Sequence, residues 1–197
     1  MRYRRKKKSK ALALLLALGI LALCVVLAFV GYRITIRKSY PLAYEELIYR
    51  YAQEYDLQPS LVAGVIHRES RFDPQAVSRA DARGLMQVMP ETGEWIANKL
   101  GIEDYSVEML FDPEINIQMG CWYLRFLMDR FDGNIETVLA AYNAGHGRVS
   151  DWLEDSQYSS DGNLTNIPIE ETRTYVEKVL DAKEKYEELY HIDENQP

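Results

Sequence analysis

The apolar positions of the chain follow two patterns, one continuous and one periodic. Residues 11–30 (ALALLLALGILALCVVLAFV) are apolar throughout and contain no charged residue. A helix of that length spans about 30 Å, which is the thickness of the hydrocarbon core of a bilayer. The continuous pattern therefore predicts a single transmembrane helix over residues 11–30, between a basic segment, residues 1–10, and a linker, residues 31–41.

Beyond the linker, apolar residues recur at helical spacing, and no segment alternates as a half-buried strand does. Helix starts are marked by Pro59 and by Asp112-Pro113, and a stop is marked by Gly101. The pattern predicts an all-α domain over residues 42–190, followed by a tail, residues 191–197. Its predicted helices are Leu42–Tyr55, Ser60–Arg71, Glu91–Leu100, 113–130, Ile135–Tyr142, Arg148–Glu154 and Glu170–Tyr190.

The charges divide the chain in the same place as the hydropathy does. Residues 1–40 carry 10 basic and no acidic residues, whereas residues 41–197 carry 13 basic and 30 acidic residues. By the positive-inside rule, the basic run before the apolar helix predicts a cytoplasmic N-terminus. We therefore expect a single-pass protein of the cell membrane with its folded domain outside the cytoplasm. The acidic domain argues against a nucleic-acid partner, because nucleic-acid-binding domains present a basic face.

Two alternatives to an uncleaved anchor are less consistent with the sequence. A cleaved signal peptide has an apolar core of about 7–15 residues and small residues at the cut, whereas this longer run is followed by Gly31-Tyr32-Arg33. A lipoprotein signal is disfavoured because Cys24 lies inside the apolar run and follows the large residue Leu23. With Cys24 in the membrane and Cys121 in the domain, both cysteines are expected to be free thiols.

Glu69 is the first candidate for chemistry, because of its position on the second predicted helix of the domain. It follows Ile66 by three residues and Val65 by four, so it lies near the end of the apolar face of that helix. A carboxyl group there is partly desolvated, which raises its pKa and favours the protonated acid. On position alone a solvated glutamate at a helix end is the commoner case.

Four segments add to this candidate. They are Glu69–Ser78 (ESRFDPQAVS), Gly84–Pro90 (GLMQVMP), Ala141–Gly145 (AYNAG), and Ile167-Pro168 together with Glu171–Val176 (ETRTYV). In this order and spacing the series resembles the soluble lytic transglycosylase (SLT) family of peptidoglycan-cleaving enzymes. The resemblance covers about residues 43–190 and implies a lysozyme-like SLT domain.

The resemblance also implies a role for individual residues. Glu69 would be the catalytic acid and base, and Ser78 would orient the N-acetyl group or the intermediate beside it. Five further residues would contact the glycan strand or lie near the catalytic carboxyl: Gln87, Met89, Tyr142, Asn143 and Tyr175. Structural roles remain open for two of these residues: Ser78 as a loop cap and Met89 as a core residue. Met86, in the same segment as Met89, is also expected to be a core residue.

By the same resemblance, Glu69 protonates the oxygen between N-acetylmuramic acid and N-acetylglucosamine, and the muramoyl 6-hydroxyl then closes a 1,6-anhydro ring. Most glycoside hydrolases use two carboxylates, but one suffices when the substrate supplies the nucleophile. No cofactor is implied, and the 3 histidines lack a metal-ligand spacing such as H-E-x-x-H. The expected partners are peptidoglycan glycan strands and, through the N-terminal helix, the membrane.

Two other functions remain open at this stage. A muramidase of the goose-lysozyme type would share the fold and a catalytic glutamate but release reducing ends. A non-catalytic peptidoglycan-binding module would not depend on Glu69. Arg83 and His146 depart from the residues common in the family, and both lie near the expected groove, so they bear on subsite preference.

Overall fold

The computed structural model describes residues 2–194, with side chains described from Leu15 onward. Its contacts divide the chain into two units, with the boundary between Tyr40 and Pro41. Of the expected tail, residues 195–197 lie outside the described residues, as do Met1 and the side chains of the basic run.

The first unit is one helix, α1, which spans Arg2–Ser39. Most of the expected linker is thus helical, and the helix ends shortly before Pro41, which disfavours the α conformation at the residue before it. Within the described residues, one segment, Leu15–Ser39, is long and apolar enough to cross a membrane. Its large apolar side chains other than Ile36 are exposed, including Leu15 at 65% and Phe29 at 62%.

The second unit is built from helices, which confirms the all-α prediction. Its α-helices are α2 (Glu45–Glu54), α3 (Pro59–Glu69), α4 (Pro90–Leu100), α5 (Pro113–Arg130), α6 (Ile135–Ala144), α7 (His146–Glu154) and α8 (Glu170–Tyr190). A short 3₁₀ helix, Val107–Phe111, was not predicted. Helix α5 begins where its cap requires, because the Asp112 carboxylate accepts hydrogen bonds from the backbone N–H of Glu114 at 2.9 Å and of Ile115 at 3.1 Å.

Helices α3 and α8 pack against each other at the centre of this unit. The contact is close because α3 carries Gly64: a Cβ atom there would lie 3.0 Å from both the Val179 carbonyl oxygen and the Lys183 backbone nitrogen. The facing residues Val65, Ile66 and Val179 are fully buried. This packing brings the C-terminal end of α3 beside α8.

The polar loop between α7 and α8 contains a small hairpin, which the hydropathy pattern did not predict. Strands β1 (Ser159–Ser160) and β2 (Asn163–Leu164) pair antiparallel. Asp161 and Gly162 connect them with φ angles of 52° and 78°. Positive φ at both central residues is the requirement of a type I′ turn, for which Asp-Gly is a favoured pair.

Candidate active site

Glu69 is the last residue of α3, and its carboxyl group is held by a tyrosine from α8. The hydroxyl of Tyr175 donates a hydrogen bond of 2.6 Å to Oε1 of Glu69. Tyr175 is itself 2% exposed, so the ring is fixed by the core. The close packing of α3 on α8 therefore sets the position of the carboxyl.

The surroundings of Glu69 make it a weak acid. Burial raises the pKa of its carboxyl to about 7, although the Tyr175 hydrogen bond and the Arg68 guanidinium both act to lower it. The C-terminal end of a helix carries a partial negative charge, which also disfavours the carboxylate. Near neutral pH the group is therefore divided between its acid and base forms, as a proton-transfer catalyst requires.

The chain leaves the helix immediately after Glu69, two residues earlier than predicted. Arg71 and Phe72 adopt left-handed φ angles of 53° and 67°, which end the helical path. The hydroxyl of Ser70 donates to the Leu85 carbonyl at 2.8 Å and so joins the helix end to the following loop. We refer to residues 70–89 as the cleft loop.

Two predicted site residues also hold the cleft loop together. The hydroxyl oxygen of Ser78 accepts hydrogen bonds from the backbone N–H of Ala80 at 3.1 Å and of Ala82 at 3.0 Å. The side-chain amide of Gln87 donates to the carbonyls of Ala76 at 3.1 Å and Gly84 at 2.9 Å. Ser78 is thus a loop cap, and the fixed amide of Gln87 leaves its side-chain oxygen as the acceptor available to a ligand.

A buried asparagine on α5 fixes the base of the same loop. The side-chain amide of Asn116 donates to the carbonyls of Arg83 at 2.9 Å and Leu110 at 2.8 Å, and its oxygen accepts from the Met86 N–H at 2.7 Å. Gly84 passes directly over this amide with φ at 76°. The role of Asn116 is not predictable from the sequence, because an asparagine within a helix carries no pattern that indicates a loop partner.

The predicted substrate-binding residues, apart from Tyr175, surround one cleft together with Glu69. The cleft has a volume of about 460 Å³. Its lining includes six residues from the sequence analysis, Glu69, Ser78, Gln87, Met89, Tyr142 and Asn143, and four that it did not identify, Arg79, Ala80, Ala82 and Glu171. Tyr175 lies outside this lining and contacts Glu69.

The far wall of the cleft is formed where α6 ends. The Tyr142 hydroxyl donates to the Met86 carbonyl at 2.8 Å, and the Asn143 side-chain oxygen accepts from the Thr172 hydroxyl at 2.8 Å. Met86 is fully buried, which confirms it as a core residue. Met89 is 41% exposed on the cleft, so the core interpretation was wrong for it.

Glu171 is a second carboxylate in the lining that sequence analysis did not identify as a site residue. It is exposed and precedes Tyr175 by four residues on α8, and residues at that spacing share a helix face. Its position four residues before Tyr175, a predicted site residue, was the one sequence feature that could have indicated Glu171 as a site residue. The acids closer in sequence to Glu69 are engaged locally, since Asp73 accepts from the Gln75 N–H at 2.9 Å and Asp81 pairs with Arg83.

Comparison with known proteins places this geometry in one family. The sequence model of the Transglycosylase SLT domain matches residues 46–165. The soluble lytic murein transglycosylase of Salmonella typhimurium is 38% identical over 148 residues, which are 74% of this chain and 23% of that protein. Membrane-bound lytic murein transglycosylase C of Actinobacillus pleuropneumoniae is 32% identical in an alignment of 165 positions that covers 73% of this chain and 45% of that protein.

Solved structures agree with the sequence comparison. The crystal structure of an inactive glutamate-to-glutamine mutant of the lytic transglycosylase Slt from Pseudomonas aeruginosa superposes with a TM-score of 0.70 and 36% identity. The 70 kDa soluble lytic transglycosylase of Escherichia coli gives the same TM-score and identity, and confirms the lysozyme-like fold. Each match covers 78% of this chain and 25% of the solved chain.

The chain thus spans about a quarter of the length of the soluble relatives and less than half of the membrane-bound one. The family match covers more than half of its residues. The protein therefore belongs to the Transglycosylase SLT domain family.

Proposed function

We propose that the protein is a membrane-anchored lytic transglycosylase of peptidoglycan. In this reaction it cleaves the β-1,4 bond between N-acetylmuramic acid and N-acetylglucosamine and forms a 1,6-anhydro-muramoyl end. The observation that carries the proposal is Glu69: its carboxyl group has a pKa raised to about 7, is held by Tyr175 and faces the cleft. The names of the relatives, lytic murein transglycosylases, support the same activity.

The first step of the proposed reaction uses Glu69 as an acid. Its carboxyl proton passes to the glycosidic oxygen as the bond from that oxygen to C1 of the muramoyl residue breaks. The N-acetyl carbonyl oxygen of the same sugar bonds to C1 and carries the developing charge. The raised pKa favours this step, because it keeps part of the enzyme protonated near neutral pH.

The second step uses the same residue as a base. The muramoyl 6-hydroxyl attacks C1, its proton returns to the Glu69 carboxylate, and the bond between C1 and the N-acetyl oxygen breaks. No water is consumed, so the new muramoyl end is one water lighter than a hydrolysis product. The hydrogen bond donated by Tyr175 supports the carboxylate form that this step requires.

We also propose that α1 anchors the enzyme in the cell membrane, with the N-terminus cytoplasmic and the SLT domain outside. The length and composition of Leu15–Ser39 support a membrane span, and the basic residues before it support this orientation. A relative whose name describes it as membrane-bound supports such an anchor. The enzyme would then act on glycan strands close to the membrane.

Mass spectrometry of digested peptidoglycan tests the reaction. Incubation of purified glycan strands with the protein is expected to release muropeptides whose muramoyl end carries the 1,6-anhydro ring. Reducing-end products alone, heavier by one water, would contradict the proposal.

Glu171 gives the muramidase a specific observation in its favour. Inverting glycosidases pair a catalytic acid with a second carboxylate that activates water, and Glu171 is a second carboxylate in the cleft lining. That enzyme would form reducing ends, and Glu171→Gln would abolish them about as completely as a change at Glu69. For a transglycosylase, the anhydro product persists in Glu171→Gln.

The pH dependence of turnover follows from the direction of the Glu69 shift. The first step needs the protonated acid, so kcat/KM is expected to fall as the pH rises through about 7. Because the Tyr175 hydrogen bond lowers the pKa of Glu69, Tyr175→Phe is expected to move this limb to higher pH. Initial rates across pH 5–9, measured on both proteins, provide the check. If kcat/KM falls at the same pH in Tyr175→Phe as in the wild type, the fall does not report the ionisation of Glu69.

A further inference from the structure

The cleft lining contains one basic residue among the residues that the structure describes, and that residue has no protein partner there. Arg79 lies on the cleft loop and is exposed. No acceptor in the described part of the chain forms a hydrogen bond or ion pair with its guanidinium. The other charged residues of the lining are the carboxylic acids Glu69 and Glu171.

The other arginine between Ser78 and Gly84, Arg83, differs from Arg79 because its guanidinium has partners within the protein. Arg83 pairs with Asp81 at 3.1 Å and approaches Glu108 at 4.0 Å, and its guanidinium lies 5.6 Å from the centre of the Phe111 ring. Its charge is therefore neutralised within the protein. Arg79 retains a full charge, in a domain whose acidic residues outnumber its basic residues by 30 to 13.

The backbone on either side of Arg79 is well fixed. The Ser78 hydroxyl holds the N–H groups of Ala80 and Ala82, and the Ser78 N–H donates to the Ala82 carbonyl at 2.9 Å. Arg79 is thus presented on a small closed turn beside the cleft. The guanidinium of an arginine offers a planar pair of donors that matches a carboxylate.

We propose that Arg79 binds a carboxylate of the peptide stem carried by the muramoyl residue, and so makes the enzyme prefer strands that bear stems. This inference rests on the proposed function, since it assumes that glycan strands occupy the cleft. The two sugars offer mainly neutral hydroxyl and N-acetyl groups, whereas the stem peptide carries free carboxylates. An exposed cation at the cleft suits a substituent that projects from the strand.

The test compares three substrates made from the same glycan strands. The first keeps its stems, the second has stem carboxylates converted to neutral amides, and the third has its stems removed by an amidase, which leaves the lactyl carboxylate. Arg79→Gln is expected to raise KM about fivefold on the first substrate, near the upper limit for an exposed ion pair. It is expected to leave KM unchanged on the second and third.

The KM of the wild-type enzyme should rise by the same factor when the stem carboxylates are amidated. The difference in KM between the wild type and Arg79→Gln on the first substrate should shrink in 0.5 M salt through screening. Lys178→Gln, which removes an exposed cation on α8 outside the cleft lining, is the matched control and should not discriminate among the substrates. Arg79→Lys should recover part of the preference, because the charge remains without the planar fork.

The outcomes separate this inference from the proposed function. An equal effect of Arg79→Gln on all three substrates, or none on the first, overturns the role of Arg79 while turnover by the wild type continues. An effect of Arg79→Gln confined to the amidase-treated strands assigns the contact to the lactyl carboxylate and overturns the proposal that Arg79 binds the peptide stem. Absence of turnover by the wild type on every substrate contradicts the proposed function itself.

Discussion

Glu69→Gln is expected to reduce turnover of glycan strands by about a thousandfold or more. A positioned general acid contributes about 10²–10⁴ in rate, and here the same carboxyl serves both steps of the proposed reaction. Glutamine has nearly the same shape and can still accept the Tyr175 hydrogen bond, so the cleft should remain formed. The rate of release of anhydro-muropeptides, measured by liquid chromatography, gives the result.

The same variant should be more stable than the wild type at high pH. As the pH rises from about 4.5 to about 7, the unfolded chain releases the Glu69 proton while the folded protein retains it, so the wild type loses stability across this window. Above it the accumulated cost is up to about 3.5 kcal/mol, from about 1.4 kcal/mol per pKa unit. Glu69→Gln lacks this cost, and urea unfolding at pH 4 and pH 8 measures the difference.

A matched variant, Glu184→Gln, removes an exposed carboxylate of α8 outside the cleft and should change neither quantity appreciably. Unchanged action of Glu69→Gln on peptidoglycan would favour the non-catalytic binding module. A variant that is inactive but no more stable at pH 8 would show that the carboxyl is less desolvated than the structure indicates.

Gly84→Ala is expected to destabilise the SLT domain by about 3 kcal/mol. A Cβ at this position would lie 2.1 Å from the Leu110 carbonyl oxygen and 2.4 Å from the Asn116 side-chain nitrogen. The backbone there also has φ at 76°, which costs an L-residue about 1–2 kcal/mol. Neither obstacle is a flexible side-chain end, so the cleft loop must shift, and forced overpacking costs about 1–3 kcal/mol more. The free energy of unfolding in urea is the measurement.

Gly101→Ala is the control for backbone strain alone. Gly101 ends α4 with φ at 68°, but a Cβ atom there would meet nothing within 4 Å. It should therefore cost about 1–2 kcal/mol and leave turnover intact. Gly84→Ala should also lose activity, because the displaced loop carries Ser78, Gln87 and Met89. Equal losses of stability in the two variants would contradict the close approach at Gly84.

Local chemistry made much of the helical framework predictable. Asp112-Pro113 and Gly101 mark helix ends through the hydrogen bonding and backbone conformation of adjacent residues. In the structure α5 begins after Asp112 and α4 ends at Gly101, as these signals predict. The expected extent of α8, Glu170–Tyr190, also agrees. By contrast, α3 ends at Glu69 because Arg71 and Phe72 turn left-handed, and neither residue type favours that conformation.

The candidate site was predictable only where a motif marks it. The four segments that carry the resemblance bring Glu69 and Tyr142 to one cleft. Asn116 and Arg79 lie outside the reach of such reasoning, because their importance depends on which chain segments pass beside them in three dimensions. The hydrogen bonds of Asn116 join carbonyls 6 and 33 residues away, a relation that neither periodicity nor propensity contains.

The acid and the side chains expected to contact glycan are held by different parts of the chain. Glu69 and Tyr175 belong to two helices in backbone contact at Gly64, whereas Arg79 and Met89 are exposed on the cleft loop, which has its own hydrogen bonds. Substitutions at those exposed loop positions leave the α3–α8 contact untouched. If glycan strands are its substrate, as we propose, the cleft loop can change during evolution without altering the acidity of Glu69. The same division makes the cleft loop the segment to exchange when specificity is engineered.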